Sequence, residues 1–313
     1  MTKTSVIAMW CLLASPLVVA QTAGKTAEST TTPGIPGVVA AGTKIEQIQT
    51  WDPAHGGEGP VPAPGGGIYF VQDAPNQVSK LDKDGKLSTY IEAGANRILG
   101  LAYDHKGRLV GTRRGENALV VLAPAPSVLV DNYEGKPFGS PNDLVVDSKG
   151  GIYFTDPAPR PAPGQPPPPG SKSYVFYVTS AGKLVKVTED VPRPNGIELS
   201  PDGKTLYVVN VLGEGVMALD VQSEGVARNA REFVKAKGAD GLAVDSAGRL
   251  YAAADDGIAV FDAHGQHLGT IVVPLKPRNL AFAGPNKKTL YVISRGAAYT
   301  IAMQAEGPKG RAK

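Results

Sequence analysis

Glu58, Asn142, Asn195 and Asp240 each open a similar stretch of chain: a short apolar run, a glycine-bearing turn and a second apolar run. The most regular copy, Pro194-Asn195-Gly196-Ile197-Glu198-Leu199-Ser200-Pro201-Asp202-Gly203-Lys204-Thr205-Leu206-Tyr207-Val208-Val209-Asn210, reads as strand, Pro-Asp-Gly turn and strand. Aligned on the apolar run, six copies place Glu58, Leu99, Asn142, Asn195, Asp240 and Arg278 in one slot. Four of the six slots carry oxygen donors. Two carboxylates and two amide carbonyls, with no His or Cys, suit a hard cation. Two carboxylates on one axis also repel unless a cation neutralises them. One divalent cation is therefore expected. Calcium is preferred over magnesium because it tolerates irregular geometry, and zinc and manganese are further candidates. A single Asn or Asp before a strand reads as a turn-former satisfying its own backbone. Four in register favour the metal site.

The elements that must position these residues follow from the same repeat. The slots recur every roughly 40 to 45 residues, with one longer interval between Asn142 and Asn195, and turn signals punctuate each unit. No segment sustains a 3.6 period, so the class is all-β, and six units predict a six-bladed β-propeller. The last unit ends one strand short after 298–303. A strand at 43–50, ahead of the first unit, is expected to complete the last blade and remove an open sheet edge. In that architecture the slot residues begin the innermost strands and ring one mouth of the channel. Gln72, Asp73, Arg113, Arg114, the 156–172 loop, Asp255 and Arg295 fall on the same side. His105, His264 and His267 fall on the far side as solvated turn residues, and His55 precedes the first slot in a structural role.

Outside the repeat, residues 1–20 combine Lys3, an apolar run from Val6 to Ala20 and a small-x-small ending at Val18-Val19-Ala20. This is the pattern of a secretory signal, and the run is short for a membrane span. A secreted or periplasmic protein is expected. Cys11, the single cysteine, lies within that signal, so disulfides and Cys-ligated metals are excluded from the mature chain. With 32 basic and 29 acidic residues there is no footprint for nucleic acid or an anionic membrane, and nothing implies a partner protein. Residues 21–42, rich in Thr, Ala, Gly, Pro and Ser, read as a flexible linker, 43–304 as the propeller and 305–313 as a flexible tail. The Pro-rich loop 157–170 favours polyproline II and reads as a semi-rigid rim or lid.

Glu58-Gly59-Pro60, Pro141-Asn142-Asp143-Leu144, Arg193-Pro194-Asn195-Gly196 with Ser200-Pro201-Asp202-Gly203, Ala239-Asp240-Gly241 and Asn279-Leu280-Ala281-Phe282-Ala283-Gly284-Pro285 resemble the senescence-marker-protein, gluconolactonase and luciferin-regenerating-enzyme-like family. The resemblance covers about residues 43 to 304. It implies a six-bladed propeller with a divalent cation, usually calcium, held by Glu58, Asn142, Asn195 and Asp240. It also implies Asp240 as the general base or acid of a lactonase. Leu99-Gly100, Thr112-Arg113-Arg114 and Pro62 depart from the family pattern on the substrate side.

The chemistry expected is hydrolysis of a lactone, a sugar lactone among the candidates, to the hydroxy acid. The cation polarises the carbonyl and a carboxylate takes a proton from attacking water. Arg113 and Arg114 are candidates for orienting substrate oxygens by charge-assisted hydrogen bonds, with a solvated loop as the alternative. Two other readings stay open: a phosphotriesterase on the same metal site, and a non-catalytic ligand-binding propeller in which calcium serves the fold.

Overall fold

The computed structural model describes residues 30–74, 76–92, 97–159 and 170–310. Five four-stranded antiparallel sheets and one five-stranded sheet follow each other as the six blades of a β-propeller. Their innermost strands are Glu58–Pro62, Ile98–Tyr103, Leu144–Val146, Pro194–Leu199, Leu242–Val244 and Pro277–Ala283.

The second strand of each blade is apolar at nearly every position, as in Ile68–Gln72, Ile152–Asp156 and Leu250–Ala254, and all of these residues are buried. A strand lying between two neighbouring blades buries both faces, so in-out alternation is lost. Outer strands such as Leu87–Ile91 meet solvent and mix polar with apolar residues. Between blades, apolar layers interlock. Val61, Tyr69 and Val71 of the first blade pack with Ile98, Leu101 and Val120 of the second. These layers fix each blade's rotation about the channel and with it the direction of each slot residue.

The last blade closes as the sequence predicts. Lys44–Thr50 pairs antiparallel with Ala297–Ala302, setting Ile45 opposite Ile301 and Thr50 opposite Ala297. A further short strand, Thr30–Thr31, pairs with Lys44 and Ile45 at the outer edge.

The boundaries expected for linker and tail differ from the structure. Residues 30–42 are packed: Ile35, Val38 and Val39 are buried with Tyr251, Ile258 and Phe282. Gln304 and Ala305 both donate backbone bonds to Val38 O, at 2.9 and 3.2 Å. Beyond them Ser246 N donates to Glu306 O, and Lys287 Nζ donates to Pro308 O at 2.7 Å. Three apolar residues in a polar stretch look insufficient for order, but a groove between the fifth and last blades gives them full burial. The segment 1–20 expected to be a secretory signal, residues 21–29 and most of the Pro-rich loop lie outside the described residues.

Candidate metal centre and active site

The ring begins with how the backbone presents it. In four innermost strands the register shifts at the slot, between Glu58 and Val61, Ile98 and Leu101, Pro194 and Ile197, and Pro277 and Asn279. Such bulges re-aim a side chain, here off the sheet and toward the channel mouth.

Glycine after the slot permits close approach of adjacent blades. Gly196 N donates to Asp240 O at 3.0 Å, and a Cβ at Gly196 would lie 2.2 Å from that oxygen. Gly241 N likewise donates to Arg278 O at 2.7 Å. Threonines on second strands complete the bracing. Thr112 Oγ1 donates to Asn142 O, and Thr155 Oγ1 donates to Asn195 O at 2.8 Å. Both threonines are fully buried. The backbones of four slots, Asn142, Asn195, Asp240 and Arg278, are thereby each held by the blade before.

Entry to the first slot is set by local capping. Asp52 accepts from Ala54 N at 2.9 Å across the short 3-10 turn Pro53–His55, and Trp51 Nε1 donates to Gly56 O at 2.6 Å. His55 belongs to this turn. His105, His264 and His267 are exposed.

The structure joins Glu58, Asn195 and Asp240 through direct contacts and through Arg278. Asn195 Nδ2 donates to Asp240 Oδ1 at 2.7 Å. The Arg278 guanidinium donates to Glu58 Oε1, and its Nε lies 3.4 Å from Asp240 Oδ2. Asn142 is placed by its backbone, donating from N to Thr155 O at 2.9 Å and accepting from Thr112. Leu99, the one apolar slot residue, is buried.

Burial, and next the charge of Asp240, push the Glu58 carboxyl up to about 8. Asp240 is raised by burial, against which Arg278 and Asn195 act. Arg278 is held more firmly protonated by Glu58 and Asp240, which outweigh its own burial.

Arg113 and Arg114 stand at the slot-side end of the second blade's second strand. Arg113 Nη1 pairs with Glu116 Oε2 at 2.6 Å, and Arg114 N donates to Arg97 O at 3.0 Å. Asp255 pairs with Lys276.

The contacts of two residues were not legible in the sequence. Asp156 accepts from Gly139 N at 2.9 Å and Ser140 N at 2.7 Å, fixing the segment that delivers Asn142. Arg278 was visible as the sixth slot residue, but its ion pairs were not.

The donor chemistry fits a hard divalent cation. Two carboxylates and an amide meet on the ring, a fourth oxygen donor occupies the neighbouring slot, and a buried carboxylate held at about 8 is one a cation would stabilise in its ionised form. Among the described residues there is no cluster of three His, Cys, Asp or Glu suited to a metal, so any metal site depends on the asparagines. A hollow of about 1070 Å³ opens instead on the turn side between the first and last blades, lined by Gly65, Lys83, Asp84, Lys287 and Tyr291. It contains no slot residue.

Known proteins share this architecture. The gluconolactonase of Zymomonas mobilis is 29% identical over 297 residues, spanning 83% of this chain and 81% of its own. A gluconolactonase structure from Xanthomonas campestris superposes with a TM-score of 0.76 at 24% identity, over 90% of this chain and 99% of its own. The calcium-binding protein regucalcin of Agrobacterium tumefaciens superposes at 0.70 with 19% identity, over 84% and 95%. At those identities the two structures speak for the fold alone. Residues 56–296, from just before the first slot to the turn after the last blade's second strand, match the SMP-30/gluconolactonase/LRE-like region, and the chain belongs to that family.

Proposed function

We propose that this protein hydrolyses a lactone to its hydroxy acid at the ring of slot residues, with one divalent cation, calcium foremost, held by Glu58, Asn142, Asn195 and Asp240. The observation that carries the reading is the contact set in which Asn195 donates to Asp240 and Arg278 links Asp240 to Glu58. The lactone substrate is supported by the gluconolactonase relative, which aligns with most of this chain. When bound, the cation supplies Lewis-acid polarisation of the ester carbonyl.

The chain's own residues do the rest. Asp240 has about a fifth of its side chain exposed, so water reaches it. It takes a proton from the attacking water as general base and returns it to the leaving alkoxide. Asn195 holds one carboxylate oxygen of Asp240 at 2.7 Å, and the other, 3.4 Å from Arg278 Nε, is the oxygen assigned to the attacking water. Arg113 is a candidate for binding substrate oxygens on condition that it leaves Glu116. Export to the periplasm or outside the cell rests on the 1–20 segment and is read out by the N-terminus of the mature protein.

The test is turnover of a panel of aldonolactones and aliphatic lactones by chelator-stripped protein, before and after calcium is restored. Calcium-dependent hydrolysis of at least one lactone is expected. Binding of calcium with no lactone turned over would remove the catalytic reading.

A further inference from the structure

We propose that Arg278 is a built-in counter-ion that competes with the divalent cation for Glu58 and Asp240 and lets the ring stay assembled without metal. The inference rests on the metal-dependent reading above and concerns what this chain adds to it.

Arg278 occupies the sixth slot, beside Glu58 of the first blade and Asp240 of the fifth. Its backbone carbonyl is fixed by Gly241 N at 2.7 Å, so the side chain starts from a rigid point on the ring. The guanidinium donates to Glu58 Oε1, and its Nε lies 3.4 Å from Asp240 Oδ2. These are carboxylates that a cation would share. A planar fork with fixed charge suits two carboxylates, and it supplies one positive charge against two negative ones.

Two consequences follow from charge. Buried carboxylates without a counter-ion are strongly destabilising, so Arg278 supports the ring when no metal is bound. A dication entering the same carboxylates meets a positive charge already in place and must displace it, which weakens its binding.

The structure also offers the displaced guanidinium a destination. Asp73 acts electrostatically on both Glu58 and Arg278, and its Oδ1 is buried without a hydrogen-bond partner. The Arg278 side chain keeps 20% of its surface exposed, so it is not fully enclosed at the ring. Arg278 thus has two acceptors, the Glu58–Asp240 pair and Asp73, and the cation selects between them.

Calorimetric titration of calcium chloride into chelator-stripped wild type, Arg278→Gln and Arg278→Lys tests this, at a pH where both carboxylates are ionised. Arg278→Gln is expected to bind calcium roughly tenfold or more tightly than wild type. Arg278→Lys, which keeps the charge but loses the fork, is expected to gain less. Melting temperature provides a second readout: calcium should raise that of Arg278→Gln more than that of wild type. If wild type and both variants bind calcium equally, the competition is wrong while the metal site stands. If wild type and both variants bind none of calcium, magnesium, manganese or zinc, the metal-dependent reading and this inference fail together. Should Arg278→Gln not fold, the Arg278→Lys affinity decides.

Discussion

Asn195 Nδ2 donates to Asp240 Oδ1 at 2.7 Å, joining slot residues of the fourth and fifth blades that stand 45 positions apart in the chain. One Asp240 oxygen is thus committed to orientation, and the other lies 3.4 Å from Arg278 Nε. Asp240→Asn should lower kcat/KM for a lactone substrate by about two to four orders of magnitude, the usual scale for a lost general base. Circular dichroism should show an unchanged fold. Wild-type turnover by a well-folded variant would sink the role assigned to Asp240.

The Thr155 hydroxyl is buried and spans two blades, donating to Asn195 O at 2.8 Å and accepting from Asp143 N at 3.1 Å. Thr155→Val keeps the shape and strands both partners, at a cost of about 1–3 kcal/mol. Thr155→Ser should recover most of it. Urea midpoints of the pair check this, and equal losses for both variants would point to packing instead.

Asp156 sets a pH dependence. Burial, set against the two backbone N–H bonds, raises its carboxyl to about 6 from an ordinary 3.8. The folded state therefore binds the proton more tightly than the unfolded chain between those values, and stability falls as pH rises through that window, then levels above it. The effect amounts to about 3 kcal/mol. Asp156→Asn should flatten this part of the curve of melting temperature against pH. An unchanged slope would show that other groups carry it.

Gly196 and Gly203 separate crowding from backbone conformation. A Cβ at Gly196 would lie 2.2 Å from Asp240 O, whereas Gly203 has a φ of +70° and open space around it. Gly196→Ala must push two blades apart and should cost about 2 kcal/mol or more, with loss of activity. Gly203→Ala should cost about 1 kcal/mol through its positive φ alone and leave activity intact. Comparable activity losses in both would contradict a ring set by close approach at Gly196.

Val38 is fully buried, and its carbonyl accepts from Gln304 and Ala305. Val38→Asp places an unpaired charge there and should cost about 3 kcal/mol or more. Limited proteolysis should then cut between residues 30 and 43 before it cuts the blades. Resistance equal to wild type would mean that the segment contributes little.

The blade count, the closing strand and the six slots were legible because each rests on a local pattern repeated along the chain. Alternating turn and apolar run need no partner to be recognised, and six copies make the slot position unambiguous. Bulges were not legible, since register depends on the neighbouring strand. The order of residues 30–42 was hidden because the burial of Ile35, Val38 and Val39 needs a groove formed by strands more than 200 positions further along the chain. Arg278 shows the same limit at the site. Its type and slot are in the sequence, but Glu58 is 220 residues away, and only closure of the ring sets the first blade beside the last. The choice between a solvated arginine and a counter-ion for two carboxylates is made by distance and burial, and both arise only when the propeller closes.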